Sequence, residues 1–409
     1  MYSKKKLYLC LLKNIRKSMI GIFNDNYPPV LDGVAIAAQN YAYWLKEKGD
    51  DVSVITPYAP NMQEVIATAS YPIHRCLSIP IPFRPPYRFG LPFLDIPFML
   101  KCSKMKFDLV HAHCPFITGT LACQITKRQQ IPLVATFHSK YRQDFEHNVH
   151  CKPIVDMMVK HIIHFYEQAD EVWIPLPAVE ETLREYGFKG HVEVMENGND
   201  FYASKEQIAI MREAMRHELG VAPNETMLLY VGQHIWEKNI GFILDSLALI
   251  KDKPFYFFMV GTGYAVHDIR KRINQLGLSH RVTLLGNIHD RERLKRVYTA
   301  ADLFLFPSLY DTCGLVVRES AAMHTPSLLL RESTAATAIS DGVNGFLTNH
   351  DVVEFAQRIA YLMENPHELK RVGEKASKTI SRSWESVMEE VSLRYRDIQE
   401  SYRFKHSIK

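Results

Sequence analysis

The chain opens twice in the same way. Met19–Asn24 (MIGIFN) is a short apolar run ending in a polar, turn-rich loop that carries Gly33, and Met227–Val231 (MLLYV) is a second such run ending at Gly232. An apolar run of strand length, then a glycine-bearing loop and a longer helical stretch, is the start of a βα unit. Its recurrence predicts two α/β domains, each with a parallel sheet wrapped by helices. The length agrees, because 409 residues exceed what a single core sustains, roughly 250–300.

In the first half the pattern predicts strands near Val52–Thr56, Leu109–His113, Leu133–His138, Glu171–Ile174 and Val192–Met195. In the second it predicts Phe255–Val260, Val282–Leu285, Leu303–Phe306, Ser327–Leu330 and Gly345–Thr348. Helices are expected at Val34–Lys48, Lys152–Gln168, Ile240–Ile250 and Arg291–Tyr298, with helical periodicity again from Trp384 to Phe404. The boundary falls near Phe201–Ser204, just after the Asn197-Gly198 turn. This gives a basic extension (1–18), a first domain (19–201), a second domain (202–383) and a helical tail (384–409).

The net charge of +4 misleads. Residues 1–18 carry six basic groups and no acid, so the rest of the chain stands at −2, and overall charge gives no case for a nucleic-acid partner. The extension lacks the apolar core and cleavage site of a signal peptide, and reads either as a segment drawn to anionic lipid or as a solvated extension. No apolar run is long enough for a membrane-spanning helix. Seven scattered cysteines without a CxxC pair suggest reduced thiols in a cytoplasmic protein. The close pairs His111/His113 and His161/His164 lack a second ligand cluster, so they read as packing or surface residues and no metal is called for.

Residues 71–100 hold seven prolines interleaved with Arg75, Arg84, Arg88 and many apolar side chains. Proline density of this kind excludes a central strand or helix. The stretch is either a long connecting loop or an acceptor lip, where arginines meet phosphate headgroups and apolar side chains meet lipid.

Ligands of open parallel sheets sit at the carboxyl ends of strands, where loop amides and helix N-termini favour phosphate. Three loops fit. Asn24–Gly33 enters a helix through a glycine that would let the backbone approach an anion. Gly232–Lys238 places a lysine after a strand-terminal glycine, suited to a diphosphate. Pro307–Glu319 brackets Gly314 and Leu315 with Asp311 and Glu319, carboxylates for sugar and ribose hydroxyls around amides for phosphate. Gly261-Thr262-Gly263 lacks the rest of a dinucleotide fingerprint and reads as a tight strand-to-helix turn.

From Met19 to about Trp384 the chain resembles the family 4 glycosyltransferases. The pieces stand in family order: FNDNYPPVLDGVA, DLVHAH (108–113), PLVATFH (132–138), ENGND (196–200), YVGQHIWEKN (230–239), ADLFLFPS (301–308), D-x7-E (311–319) and DGVNGFL (341–347). Within the family, the opening together with PYRFGLP (86–92) and TFHSKY (136–141) looks most like the diacylglycerol glucosyltransferases, monotopic enzymes that put a sugar on a membrane lipid.

The resemblance implies a GT-B fold: two Rossmann-like domains facing a cleft, with a C-terminal helix crossing back to the first. It implies Gly33 near the donor diphosphate, Gly232 and Gln233 in the donor loop, and Lys238 on the phosphates. Asp311 would hold donor-sugar hydroxyls, the Gly314 and Leu315 amides the phosphates, and Glu319 the ribose. His138 would stand by the sugar's reacting face. Three positions depart from the pattern: Gln233 replaces the usual arginine, Asp311 is one methylene shorter than the usual glutamate, and His324 in HTP (324–326) replaces glycine.

The expected chemistry is transfer of a glucose or galactose from a UDP-sugar with retention of configuration. Attack and departure would share one face, Lys238 would stand in for a metal, and no cofactor would be needed. The expected acceptor is a membrane lipid such as diacylglycerol or ceramide, reached by peripheral association with the anionic inner face of the cell membrane, and no protein partner is evident. The alternatives are a transferase for a soluble or polysaccharide acceptor and a non-catalytic nucleotide-sugar-binding homologue.

Overall fold

The computed structural model describes residues 17–30, 32–82, 86–312 and 314–407. Nearly all of the basic extension, Arg84 and Cys313 lie outside the described residues. The chain divides into two units. The first comprises the chain up to His138, Phe145–Met195 and Met388 onward; the second comprises Ser139–Asp144 and Glu196–Val387.

Among the described residues the first unit holds strands β1 (Met19–Phe23), β2 (Asp51–Pro57), β3 (Ile73–Cys76), β4 (Ser78–Pro80), β5 (Arg88–Gly90), β6 (Leu109–Ala112), β7 (Leu133–Thr136), β8 (Glu171–Ile174) and β9 (Val192–Val194). Seven form a parallel sheet in the order β3-β2-β1-β6-β7-β8-β9, with Ile22 opposite Val54 on one side and His111 on the other. β6 and β7 are buried along their whole length, as strands covered on both faces are, which is why they are mostly apolar and do not alternate with exposed polar residues.

The proline-rich stretch is more ordered than a connecting loop. Its first part pairs with β2 as the edge strand β3, a proline-free segment, Ile73–Cys76, that starts just after Pro72. β4 and β5 form a separate antiparallel hairpin. A helix follows at Ile96–Lys104, with Pro97 in its first turn and Asp95 Oδ1 accepting from the Phe98 amide at 3.1 Å.

The second unit holds β10 (Thr226–Val231), β11 (Phe255–Val260), β12 (Val282–Gly286), β13 (Leu303–Phe306), β14 (Ser327–Leu330) and β15 (Phe346–Thr348). They form one parallel sheet in the order β12-β11-β10-β13-β14-β15. β13 is central and its four side chains are buried, each stabilising the fold by about 1.5–3 kcal/mol.

The last helix, Trp384–Ser407, starts in the second unit and from Met388 belongs to the first. Its start is fixed at Gly198, where a Cβ would stand 2.5 Å from the Trp384 Cα. Further along, Tyr395 stacks on Trp173 with centroids 5.3 Å apart, and Arg394 grips both oxygens of Glu171 at 2.8 and 2.7 Å. No helix among the described residues is long and apolar enough to cross a membrane. Cys76, Cys102, Cys114 and Cys123 are free and buried, and Cys151 is free and exposed.

Candidate active site

In the second sheet the strand order reverses between β10 and β13, whose crossovers leave in opposite directions and open a crevice at their carboxyl ends. The loops after these two strands are Gly232–Lys238 and Pro307–Gly314. Topology therefore brings together residues 73 positions apart: the Lys238 ammonium is paired with the Asp311 carboxylate. Lys238 is 9% exposed and its Nζ lies 4.9 Å from the centre of the Tyr310 ring, a contact that favours the cation. The second oxygen of Asp311 is buried without a hydrogen-bond partner.

The lysine loop lies flat on the turn after β11. A Cβ on Gly261, at φ +132°, would meet the Gly232 carbonyl oxygen at 1.9 Å, and one on Gly263 would meet the His234 carbonyl oxygen at 2.4 Å. This explains both glycines structurally, as the tight turn into the helix Val266–Gln275. His234 does not make up for the arginine replaced by Gln233. It is 1% exposed, and burial pushes its pKa down to about 4 despite a backbone hydrogen bond at Val260, so the ring is neutral.

Gly314 stands at φ +58°, a left-handed conformation that glycine adopts at no steric cost, and opens the helix Leu315–Ala322 without a capping side chain. The first amides of a helix have no partner within it, so Leu315 offers a donor at the end of the crevice. One turn on, Glu319 is 7% exposed and held on both oxygens: Oε1 accepts from Arg291 at 2.8 Å and Oε2 from Tyr298 at 2.9 Å. Burial, then the charge of Glu319, raises the Tyr298 hydroxyl's pKa, so it stays protonated and donates. Arg291 also pairs with Asp200 and lies over the Phe201 ring. A ribose at Glu319 would thus meet a carboxylate already oriented by two donors. Beyond the ENGND segment and the helix starting at Arg291, nothing in the residue pattern pointed to Arg291, Tyr298 or Asp200 in this role.

The third departure, His324, lies outside the crevice. The helix Leu315–Ala322 ends in a paired closure, with the His324 amide donating to Ala321 and the Thr325 amide to Ser320. His324 is the left-handed residue of that closure, at φ +60°, the place where glycine is favoured.

In the first unit, Gly33 is exposed at the start of the helix Gly33–Glu47, and Asp32 Oδ1 caps that helix through the Ala35 amide at 2.7 Å. An anion beside Gly33 would share the helix end with a carboxylate. His138 lies two residues past the end of β7 and is 6% exposed; its Nε2 is 3.0 Å from Nδ1 of His113, which follows β6. Next to them His111 is bonded to Tyr395 at 2.5 Å and to Thr136 at 2.7 Å. The pair first read as packing residues is thus part of a buried imidazole group around His138. No group of three His, Cys, Asp or Glu among the described residues is placed to hold a metal ion.

The hairpin and the helix after it expose Leu77, Ile79, Phe89, Phe93, Leu94 and Ile96, the last two at 72% and 69%. Arg88 donates to Ser78 twice, at 2.8 and 3.0 Å, so its guanidinium works within the hairpin rather than standing free for a headgroup. Arg75 and Arg88 both lie near the Tyr58 ring.

Comparison with known proteins gives this geometry a context. The pattern described as Glycosyltransferase Family 4 matches residues 31–201, and that of Glycosyl transferases group 1 matches residues 211–379. The chain is 26% identical over 372 residues to the alpha-monoglucosyldiacylglycerol synthase of Acholeplasma laidlawii, covering 87% of this chain and 91% of that one. It is 20% identical over 392 residues to a GDP-mannose-dependent alpha-mannosyltransferase of Corynebacterium glutamicum, covering 94% and 90%. The crystal structure of Anabaena HepE in complex with UDP and glucose matches the fold with a TM-score of 0.76 at 18% identity, over 93% of this chain and 99% of that one. The two matched patterns, the paired parallel sheets and these likenesses agree that the chain is a glycosyltransferase belonging to family 4, with the GT-B fold.

Proposed function

We propose that this glycosyltransferase transfers a hexose from a UDP-sugar to a lipid acceptor at the inner face of the cell membrane, with retention of anomeric configuration and without a metal. The observation that carries the donor site is the Lys238–Asp311 pair. It joins a buried cation to a carboxylate with one unsatisfied oxygen, in the loops that frame the switch point and close to an uncapped helix start. The diphosphate would draw Lys238 from Asp311, freeing the carboxylate for sugar hydroxyls, while the Leu315 amide and Glu319 would serve phosphate and ribose.

In the reaction the bond from the anomeric carbon to the β-phosphate oxygen breaks, and the acceptor oxygen bonds to that carbon on the same face. The acceptor's proton passes to the departing phosphate. Lys238 stabilises the charge developing on the diphosphate, the task a divalent metal performs elsewhere.

The lipid acceptor is supported by the apolar side chains exposed from Leu77 to Ile96, with Lys101 and Lys104 close behind in the same segment, a combination suited to anionic bilayer surface. It is also supported by the acceptor named for the Acholeplasma relative. The test is a mass-spectrometric transfer assay in which the protein meets UDP-glucose, UDP-galactose and GDP-mannose with mixed micelles of diacylglycerol or ceramide. A hexosyl-lipid from a UDP-sugar supports the proposal. A mannosyl product would overturn the donor, and donor turnover without a lipid product would move the acceptor to a soluble one.

A further inference from the structure

His138 and His113 meet through one nitrogen each. Their ring planes differ by 19° and their centroids stand 5.3 Å apart, while Nε2 of His138 and Nδ1 of His113 are only 3.0 Å apart. Nearly coplanar rings that approach this closely at one atom pair, with centroids so far apart, meet edge to edge. Each nitrogen's in-plane direction then points at the other, the geometry of an N–H···N hydrogen bond.

Such a contact needs one proton between two nitrogens. Both rings are neutral: burial lowers the pKa of His138 to about 3 and takes that of His113 well below the ordinary value, with His111 and His138 adding to the effect on His113. A neutral imidazole carries a single N–H, so only two arrangements exist. If His138 donated from Nε2, the proton of His113 would have to sit on its own Nε2. That atom is buried without a partner, and the residue is 0% exposed. Orphaned buried N–H groups are rare, whereas an unfilled acceptor is better tolerated. If His113 donates from Nδ1, its Nε2 is a bare lone pair, and no buried donor is stranded.

We infer that His113 is a positioning residue that donates from Nδ1 to Nε2 of His138 and so fixes His138 as the tautomer with its hydrogen on Nδ1. His138 then cannot act as a base through Nε2, whose lone pair is taken. Any hydrogen bond that it makes through Nδ1, one to an oxygen of a substrate included, is then one that it donates as a neutral ring. The inference rests on the transferase reading for the use of that donor, but not for the tautomer itself. The surroundings hold the arrangement: His111 stacks on His113 at 4.1 Å, and the Tyr41 ring meets His113 edge-on at 4.9 Å.

The test is a two-bond proton–nitrogen correlation spectrum of the full chain labelled with ¹⁵N-histidine, with signals assigned by their loss in His113 and His138 variants. The expected spectrum has His138 and His113 each protonated on Nδ1. A wild-type spectrum with His138 protonated on Nε2 overturns the inference, whatever the activity. His113→Asn keeps a donor near the position of Nδ1 and should preserve both the His138 tautomer and most of kcat. His113→Leu should lose at least about tenfold in kcat with the donor KM little changed, as when a triad carboxylate no longer sets its histidine's tautomer. Equal loss in both variants would also count against the assignment. If the leucine variant does not fold, the wild-type spectrum still decides. A protein with the expected spectrum that transfers no sugar would refute the proposed function and leave the tautomer standing.

Discussion

Lys238 and Asp311 neutralise each other across the crevice of the second sheet, so in the absence of a donor neither charge is left unpaired there. A pair so placed holds both side chains in position for a ligand carrying an anion for one and hydroxyls for the other. Lys238→Ala removes the cation and leaves Asp311 without its partner. Turnover should fall by about 2–4 kcal/mol in barrier, as on loss of a transition-state charge partner. Single-turnover kinetics at saturating donor would check this, and near-normal turnover would remove Lys238 from the mechanism.

Glu319→Ala should affect more than donor binding. It strips Tyr298 of its acceptor and leaves Arg291 with Asp200 alone, and the expected loss is about 2–3 kcal/mol of stability together with weaker UDP binding. Urea unfolding and calorimetric titration with UDP separate the two effects. A variant of unchanged stability would contradict the buried pairing, and one with unchanged UDP affinity would remove Glu319 from the ribose.

His324→Gly should raise stability by roughly 1 kcal/mol, because the left-handed backbone there burdens a residue with a Cβ and not glycine. Transfer activity should be unchanged, since the residue closes a helix rather than lining the crevice. Thermal unfolding reads the first effect and the transfer assay the second; a drop in melting temperature would contradict the backbone account.

Stability should decline as pH falls from 7.5 to 6. His111, His113, His138 and His234 are kept neutral in the folded chain by burial, with neighbouring histidines adding to the effect at His111 and His113. In the unfolded chain they take up protons near pH 6.5, so the unfolded state binds more protons as the pH drops and is favoured. Over that interval the loss is on the order of 1 kcal/mol for each histidine, several kcal/mol in all. Asp25, raised to about 6 by burial, acts in the opposite sense, chiefly between its unfolded value and pH 6. Urea midpoints measured across this range check the prediction, and a flat profile would show that the rings are not held neutral.

The fold was legible because both sheets are parallel and buried, so most strands announce themselves as apolar runs: Glu171–Ile174, Phe255–Val260, Leu303–Phe306 and Ser327–Leu330 have the bounds expected from sequence. The proline-rich stretch misled because its prolines are unevenly spaced: the gap between Pro72 and Pro80 leaves room for β3, which lies at an edge. In the site, Lys238 and Asp311 could be singled out by residue type and loop position. Their direct pairing could not, because it depends on which strands are neighbours. Arg291 and Tyr298 escaped for a similar reason, since they reach Glu319 from a helix of another βα unit. For His113 a signal did exist: it stands two residues after His111, on the same face of a strand next to the one leading to His138. Only the contact itself distinguishes that arrangement from ordinary packing.

The final helix has a consequence for biosynthesis. Tyr395, which covers Trp173 and bonds His111, leaves the ribosome long after the strands bearing those partners. The amino-terminal unit is therefore not finished by its own contiguous stretch of chain and must await its closing piece, while almost all of the second unit, Glu196–Val387, is available beforehand. The usual order, in which the first domain made is the first completed, is inverted. A message truncated shortly before Tyr395 would yield a protein whose later-made half is nearly whole and whose earlier-made half lacks its cover.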